Sequence, residues 1–331
     1  MITVTLYVSN HCYHCKEVEQ FLNELSEEYP HRIAIIDIDK DPSAKHHYED
    51  KIPLVQVGPY QLKSYITKQD LRAALGAATD RWQYLQEKGD IPFKNRYERG
   101  KKINGADRFS LWLSSRYLLV FNIAIFLYVG LPFLAPMLMQ AGFKTPAKVI
   151  YTVYKPLCHQ LAFRSWYLFG EQPYYPRDLA GLDEITTYEQ VMGSNEIDIH
   201  EARRFMGNDE IGYKVALCQR DIAIYLSILL FGLIFAIDGR NLKPLPWYLW
   251  VIFGMIPIGV DGISQLPGII SSILPSWIPV RESTPLLRTI TGSLFGLTTA
   301  WYVYPLIEET MRETKRAVTR KVSIVNKNQK I

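Results

Sequence analysis

The stretch Tyr117 to Phe143 contains no charged residue over 27 positions. A helix needs about 20 predominantly apolar residues to cross the hydrocarbon core of a bilayer. Burial inside a soluble α protein is the alternative, but such a helix would need only one apolar stripe, and this stretch is apolar all round. The stretch therefore predicts a membrane span.

Three shorter apolar stretches follow, at Ile222 to Ile237, Leu245 to Val260 and Thr289 to Ile307. The first two have about 16 uncharged residues each, so they would have to extend past a charged end or be shielded by neighbouring helices. We predict an all-α polytopic membrane domain over 117–307. Its four transmembrane helices are expected at about 117–139, 220–238, 245–264 and 287–306.

Basic residues cluster beside three ends of these stretches. They are Lys94, Arg96, Arg99, Lys101, Lys102, Arg108 and Arg116, then Arg240 and Lys243, then Arg312, Lys315, Arg316, Arg320 and Lys321. Because cytoplasmic segments are rich in Lys and Arg, we expect a multi-pass protein of the cell membrane with both termini in the cytoplasm. Lys144, Lys148 and Lys155 oppose this orientation but are outnumbered.

The same orientation assigns the remaining segments. Residues 77–116 form a basic linker with a short helix over Thr79 to Glu87. Residues at about 144–219 form an extracytoplasmic insertion, and residues 308–331 form a basic cytoplasmic tail.

Charge and cysteine usage narrow the class of protein. A formal net charge of +4 gives no argument for a nucleic-acid partner. The four cysteines, Cys12, Cys15, Cys158 and Cys218, are too few for a disulfide-stapled secreted scaffold. The segment Met1 to Val4 lacks the basic region and apolar core of a signal peptide, so we expect the N-terminal part to stay in the cytosol.

Two cysteines lie close together in "VSNHCYHCKEVEQFL", from Val8 to Leu22. The preceding "TVTLYV" and the later "RIAIIDID" are typical of strands, and the segment between them has helical spacing. This order predicts a parallel βαβ unit with Cys12 at the N-terminus of its helix. The helix dipole and free N–H groups there lower the pKa of a cysteine, while Cys15 is within reach to resolve a mixed disulfide.

The segment from Thr3 to about Gly76 resembles the glutaredoxin-like branch of the thioredoxin fold. The resemblance rests on the CYHC motif, on "DID" at 37–39 and on Ile52-Pro53 before "LVQV". It implies an α/β thioredoxin-like domain over 1–76, in which Pro53 is cis and lies against the dithiol. The implied partners are a cytosolic thiol reductant or a client protein.

One departure from that family concerns the partner. The paired glycines with which many glutaredoxins bind glutathione are absent near the last helix, where this chain has "SYITKQDL", and this argues against glutathione. The last helix is expected to start at a capping box of Thr67 and Asp70. Two alternatives for the CYHC motif stay open: an inert binding module, and a zinc site, which would need about four ligands and has only His11 and His14 nearby.

A second set of motifs lies in the apolar half of the chain. "CHQ" begins at Cys158, a C-x-R motif begins at Cys218, Asp261-Gly262 precedes Gln265, and "RESTPLLRTITG" begins at Arg281. From Tyr151 to Ile307 these motifs resemble an uncharacterised bacterial membrane-protein family known only as a domain of unknown function. That resemblance implies no mechanism.

Ionisable residues stand at the ends of the predicted spans. Arg220 and Asp221 open the second, Asp261 ends the third and Arg288 opens the fourth, so all four should gather near the outer membrane face. Such charges are costly in lipid and mark a functional site by default, although Arg–Asp pairs could simply hold helices together. The polar lining of a pocket for a quinone headgroup or another small ligand would comprise His159, Gln160, Arg220, Asp221, Asp261, Gln265, Arg281 and Arg288.

The pair Cys158 and Cys218 leaves three alternatives. They could form a disulfide on the oxidising side, ligate a metal with His159 and an acid, or pack as small apolar side chains. We assign no residue as a metal ligand. For the membrane domain, a quinone and a metal both stay open as cofactors.

Two functions follow from the whole pattern. The first is a membrane-anchored thiol-disulfide oxidoreductase with Cys12 as the nucleophile and Cys15 as the resolving thiol. The alternative is a transporter, sensor or structural membrane protein in which the glutaredoxin-like module regulates or binds a partner.

Overall fold

The structure is a computed structural model that describes residues 2–40, 45, 48–91, 102–265 and 281–328. It contains two compact units, Met1–Ser115 with Thr310–Ile331, and Arg116–Glu309. The most basic part of the predicted linker, at 94–101, lies outside the described residues.

The first unit contains a four-stranded sheet in the order β2-β1-β3-β4. Strand β1 (Ile2–Val8) pairs in parallel with β2 (His31–Asp37), and α1 (His14–Glu24) connects them. Strand β3 (Leu54–Val57) pairs antiparallel with both β1 and β4 (Tyr60–Lys63), and α2 (Lys68–Glu87) follows. The predicted βαβ unit is therefore confirmed, and the α/β sheet is consistent with a thioredoxin-like fold.

The core of this unit joins the sheet to both helices. Its buried side chains include Val4, Leu6, Val18, Leu22, Leu25, Val55, Val57, Leu71 and Leu75. Val18, Leu22 and Leu25 recur at the three- and four-residue spacing that keeps them on one face of α1. Burying one such side chain contributes roughly 1.5–3 kcal/mol. This buried face therefore fixes the position of α1 against the sheet, and with it the position of the CYHC motif at the start of the helix.

Helix α2 begins at the predicted capping box. The Thr67 hydroxyl accepts a hydrogen bond from the Asp70 N–H at 3.2 Å, and the Thr67 N–H donates to the Asp70 carboxylate at 3.0 Å. The helix then runs through Gly76 to Glu87, because Leu75 and Ala78 keep its inner face buried. The short linker helix expected at Thr79 to Glu87 is thus the end of α2, and the expected domain end at 76 falls inside a helix.

Removing the Thr67 cap should loosen the start of α2. Thr67→Ala loses one hydroxyl acceptor, which is worth about 1 kcal/mol at such a position. We expect amide hydrogen exchange in the first turn to become about fivefold faster, measured by mass spectrometry on the full chain. Thr79→Ala is the control, because the Thr79 hydroxyl donates only to Leu75 within the same helix; equal exchange in wild type and Thr67→Ala would contradict the capping role.

Helices dominate the second unit, but the segment between its two long apolar helices also contains a sheet. Helix α3 (Gly105–Gln140) leads to α4 (Lys144–Tyr154). A three-stranded antiparallel sheet follows, in the order β5-β7-β6. The strands of this sheet and the two short helices between them are, in chain order, β5 (Ser165–Leu168), α5 (Tyr188–Met192), α6 (Ile199–Arg204), β6 (Gly207–Asn208) and β7 (Gly212–Cys218).

The expectation of an all-α membrane domain is wrong for this segment. Strand β7, "GYKVALC", is buried at nearly every position. A strand covered on both faces shows no alternation of apolar and polar residues. Lys214 in the middle of the strand further obscured its apolar character.

Two described helices are long and apolar enough to cross a membrane, α3 and α7 (Gln219–Ile237). The third predicted span is shorter, α8 (Trp247–Ile263), with a π-helical turn at Val251–Met255. The fourth lies at the start of the 44-residue α9 (Pro285–Asn328), whose second half is charged. Of the four expected spans, two thus correspond to described helices with the length and composition of a membrane span.

Candidate functional site

The CYHC motif forms a disulfide between Cys12 and Cys15, with an S–S distance of 1.99 Å and a Cα–Cα distance of 5.5 Å. It lies between β1 and the start of α1. The Cys12 N–H donates to the Ser9 carbonyl at 3.1 Å, which closes the turn before the motif. Cys15 is only 4% exposed, whereas Cys12 is partly exposed, so an external thiol has better access to the Cys12 sulfur.

The surroundings of the two sulfurs favour different protonation states once the bond is reduced. Cys15 Sγ lies 3.9 Å from the Tyr7 carbonyl oxygen, an acceptor that a thiol can use and a thiolate cannot. Cys12 precedes the free N–H groups of α1, which stabilise a thiolate. The two sulfurs thus differ in their surroundings: Cys12 is the more accessible, and Cys15 is buried beside a backbone carbonyl.

Asp39 holds the segment that leads into the motif. Its Oδ2 accepts hydrogen bonds from the Asn10 N–H at 2.8 Å and the Ser9 hydroxyl at 2.9 Å. These two bonds, the Asn10 N–H first, lower the pKa of Asp39, so it stays ionised at neutral pH. Asp39 ends the "DID" segment that follows β2. Because the carboxyl ends of the parallel strands β1 and β2 lie at the same edge of the sheet, Asp39 lies beside the segment that leads from β1 into the CYHC motif.

The Ile52–Pro53 peptide bond is cis, as the resemblance implied, and it leads directly into β3. A cleft of about 120 Å³ lies between α1 and the start of α2. His14, Tyr65 and Lys68 are among the side chains that line it. Because His14 belongs to the CYHC motif, the cleft adjoins the dithiol and offers aromatic and charged side chains to a bound partner.

Cys158 and Cys218 are both free thiols in this structure. The Cys218 N–H donates to Cys158 Sγ at 3.3 Å, and the Asp221 carboxylate joins them, so that donor atoms of all three residues lie within 4.8 Å of one another. A hydrogen bond to Cys158 and burial raise the pKa of Cys218 well above its ordinary value. Because a thiol binds a metal as the thiolate, a metal bound to these donor atoms would have to displace the proton of Cys218.

The residues of the "CHQ" motif point in different directions. His159 is exposed and does not join the cysteine group. Gln160 is buried, and its amide donates to the carbonyls of Tyr151 at 3.0 Å and Ala216 at 2.9 Å. Gln160 therefore joins α4 to β7, and it lines a cavity whose other lining residues do not include the arginines with which it was expected to form one pocket.

The predicted charges at the ends of the apolar helices do meet. Asp261, at the end of α8, is 2% exposed and pairs with Arg220 at the start of α7. Its other oxygen accepts a hydrogen bond from Arg281 at 2.9 Å. The Ser283 hydroxyl donates, at 3.0 Å, to the oxygen that pairs with Arg220. One buried carboxylate thus joins three chain segments.

A second buried carboxylate, Glu282, was missed by sequence reasoning. It accepts two hydrogen bonds from Arg164, at 2.7 and 3.0 Å, and it pairs with Arg288. Arg288 also donates to the Gln265 amide oxygen at 3.1 Å, and the Gln265 amide donates to the Asp261 carbonyl at 2.6 Å. Glu282 stood within "RESTPLLRTITG", and its position beside Arg281 was the signal that could have identified it.

Together these residues form a network of four arginines and two carboxylates, Arg164, Arg220, Arg281, Arg288, Asp261 and Glu282. Asp221 is not part of it, because its carboxylate lies with the two cysteines. In the described part of the chain, Arg220 Nε and Arg288 Nη1 are buried without a hydrogen-bond partner. The network therefore has surplus positive charge and free donors, which suit a ligand with acceptor oxygens.

Lys214 is another buried charged group that sequence reasoning missed. It is fully buried on β7, and its Nζ donates to the carbonyls of Gln160 at 2.6 Å and Arg203 at 3.0 Å. These acceptors favour the ammonium form, but burial outweighs them and, with the nearby charges of Lys155 and Arg203, lowers the pKa of Lys214 to about 7.

This pKa predicts a rise in stability with pH. In the unfolded chain a lysine keeps its proton up to a pKa of about 10.4, so between pH 7 and 10 the unfolded state binds more protons than the folded state. Wild type should gain up to about 1.4 kcal/mol per pH unit in this window relative to Lys214→Met, which lacks the titrating group. Thermal unfolding in detergent at several pH values tests this, and parallel profiles for the two proteins would contradict it.

These features define a thioredoxin-like dithiol domain joined to a domain of apolar helices. Residues 3–76 match the family described as "Glutaredoxin-like domain (DUF836)", and residues 203–302 match "Predicted membrane protein (DUF2085)". The chain therefore carries a glutaredoxin-like domain followed by a predicted membrane-protein domain, which confirms the expected fusion.

One relative is similar over a large part of the chain. It is the "Uncharacterized protein MJ1492" of Methanocaldococcus jannaschii, which is 27% identical over 203 residues. The match covers 59% of this chain and 94% of that protein.

Proposed function

We propose that this protein is a membrane-anchored thiol-disulfide oxidoreductase. Cys12 is the nucleophile, Cys15 is the resolving thiol, and the partner is a cytosolic thiol reductant or a client protein. The observation that carries the proposal is the Cys12–Cys15 disulfide at the start of α1, with one sulfur accessible and the other buried.

The reaction follows from that asymmetry. A thiolate of the partner attacks Cys12 Sγ, the Cys12–Cys15 bond breaks, and Cys15 leaves with the electron pair and takes up a proton. A second partner thiolate then attacks the mixed disulfide, which releases reduced Cys12 and an oxidised partner. In the opposite direction, the Cys12 thiolate attacks a client disulfide and Cys15 resolves the mixed disulfide.

The membrane domain anchors this chemistry to the bilayer. We propose four spans over 117–307, of which α3 and α7 meet the length and composition of a span, while α8 and the first half of α9 complete the bundle. Both termini lie in the cytoplasm, where glutathione and thioredoxin systems maintain reduced thiols. The insertion at about 144–219 then lies on the outer side.

A redox titration of the full chain in detergent tests the proposal. A working dithiol should exchange with a thiol buffer in one two-electron step, at about −180 to −270 mV, the range from protein disulfide isomerase through the glutaredoxins to thioredoxin. The control is the Cys158→Ser/Cys218→Ser variant, which keeps the CYHC motif and should give the same midpoint. A Cys12–Cys15 bond with a midpoint potential below about −300 mV would be structural and would contradict the proposal.

The network of four arginines and two carboxylates favours a second candidate function. Its free donors at Arg220 and Arg288 suit a ligand with acceptor oxygens, such as a quinone headgroup or another small polar molecule. The protein would then be a ligand-binding sensor or transporter, and the dithiol domain would be regulatory. The same titration separates the two functions, because a Cys12–Cys15 pair that does not equilibrate with thiols leaves only the second.

A further inference from the structure

A cavity of about 210 Å³ in the second unit is lined by basic side chains. It lies between α4, α6 and β7, and its lining residues include no member of the cysteine group or the arginine network. Its five cationic residues are Lys148, Lys155, Arg203, Arg204 and Lys214. In the described part of the chain no carboxylate lines the cavity, and none of the five side chains forms an ion pair.

The packing of this cavity is fixed by buried hydrogen bonds. Arg203 Nη2 donates to the Lys155 carbonyl at 2.7 Å, which joins α6 to the end of α4. The Tyr151 hydroxyl donates to the Lys214 carbonyl at 2.5 Å, which joins α4 to β7. The guanidinium of Arg203 is therefore held in place before any ligand arrives, and Lys214 Nζ is held by the carbonyls of Gln160 and Arg203.

This arrangement has a cost without an anion. The charges of Lys148, Lys155, Arg203 and Arg204 repel one another around one small space, and Lys214 adds to them when it is protonated. Arg203 Nε is buried and has no hydrogen-bond partner among the described residues. A buried donor without a partner destabilises the fold, so an acceptor at this position would stabilise the fold as well as neutralise the charge.

We propose that this cavity binds a phosphate group. A phosphate carries about −1.5 to −2 charges at pH 7 and presents several acceptor oxygens to guanidinium and ammonium donors. Pockets for drug-sized molecules usually have about 300–1,000 Å³, so this cavity suits the phosphate group alone and leaves the rest of a larger ligand outside. The inference is independent of the dithiol chemistry.

The outer face of α4 indicates which kind of molecule carries the phosphate group. Val149 and Val153 lie one turn apart and are each 57% exposed, next to Lys148 and Thr152. A helix with apolar side chains on one face and lysines on the other is typical of a membrane interface. A phospholipid headgroup and free phosphate share the chemistry that this cavity recognises, and this face of α4 favours the headgroup.

Two binding experiments on the full chain in an uncharged detergent distinguish these sources. In one, inorganic phosphate is titrated and binding is measured by calorimetry. In the other, phosphatidylglycerol is added in mixed micelles, and bound lipid is counted by native mass spectrometry. The variant Lys148→Gln/Lys155→Gln/Arg204→Gln removes three cations while keeping the hydrogen bonds of Arg203 and Lys214, and Lys144→Gln on the same helix is the matched control.

Wild type and Lys144→Gln should bind at least one of the two ligands, and the triple variant should bind it at least tenfold more weakly. Phosphate binding would support a site for free phosphate, and binding of phosphatidylglycerol alone would support a headgroup site. Size-exclusion chromatography checks that the triple variant is folded. Equal binding by wild type and the triple variant, no binding in either experiment, or an equal loss in Lys144→Gln would overturn the proposal.

Discussion

The Cys12→Ser variant is expected to lose thiol-disulfide exchange by roughly three orders of magnitude or more. A serine hydroxyl is not ionised at neutral pH and forms no disulfide, and Cys15 is too buried to replace the lost sulfur. The assay follows reduction of a fluorescent disulfide peptide by the prereduced full chain in detergent. Wild type should react in one fast phase that is absent from the variant.

Two further variants make this result specific. In Cys15→Ser the first exchange step remains, but the mixed disulfide between Cys12 and the peptide persists, and it appears as an added mass on the intact chain. In Cys158→Ser/Cys218→Ser the rate should match wild type, because that cysteine group belongs to the other unit. Exchange at the wild-type rate in Cys12→Ser would remove the basis of the proposed function.

The Glu282→Gln variant is expected to destabilise the second unit by about 3–5 kcal/mol, because it leaves buried arginine charge without its carboxylate. Glu282 and Arg288 side chains are each 3% exposed, and Arg164 gives Glu282 two further hydrogen bonds. For a unit of this size the loss corresponds to a fall of roughly 10 °C in the unfolding temperature. Thermal unfolding of the full chain in detergent measures it.

The control for this experiment is Glu171→Gln, an exposed glutamate of the same unit, which should change stability by less than about 0.5 kcal/mol. The double variant Glu282→Gln/Arg288→Gln removes both charges of the pair and should lose less than the sum of the single losses. Additive losses, or a Glu282→Gln protein as stable as the control, would show that the pair does not hold the network together.

The N-terminal domain could be predicted from sequence because each of its signals is local. The spacing of Val18, Leu22 and Leu25 defined α1, the CYHC motif marked its start, and Thr67 with Asp70 marked the start of α2. What local signals missed was the continuation of α2 through Gly76. A glycine in a helix costs only about 1 kcal/mol, which the burial of Leu75 and Ala78 outweighs.

The insertion was harder to predict, because its sheet carries little periodic signal. Strand β7 is buried on both faces, and a buried lysine in the middle of an apolar run looks like the break between two elements. Lys214 is tolerated there only because carbonyls from distant segments accept its hydrogen bonds, and sequence gives no indication of such partners.

The charged residues at the ends of the predicted spans were expected to gather at one site. Their positions in the structure show that this expectation depended on how the helices are arranged. Arg220, Asp261 and Arg288 stand at the ends of three helices, and the structure brings them into one network. Asp221 follows Arg220 directly but points to the cysteines, since neighbouring positions on a helix lie about 100° apart. Glu282 stands beside Arg281 in the sequence, but its pairing with Arg164 and Arg288 depends on the fold.

The central claim is that Cys12 is the activated nucleophile of a redox dithiol. The most direct test is the rate of iodoacetamide alkylation of each cysteine in the reduced full chain, mapped by mass spectrometry across a pH series. We predict that Cys12 reacts first and that its rate reaches half-maximum well below pH 8.5, the pKa of an ordinary cysteine being about 8.5. A Cys12 that reacts no faster than Cys15, or only above about pH 8.5, would contradict the claim.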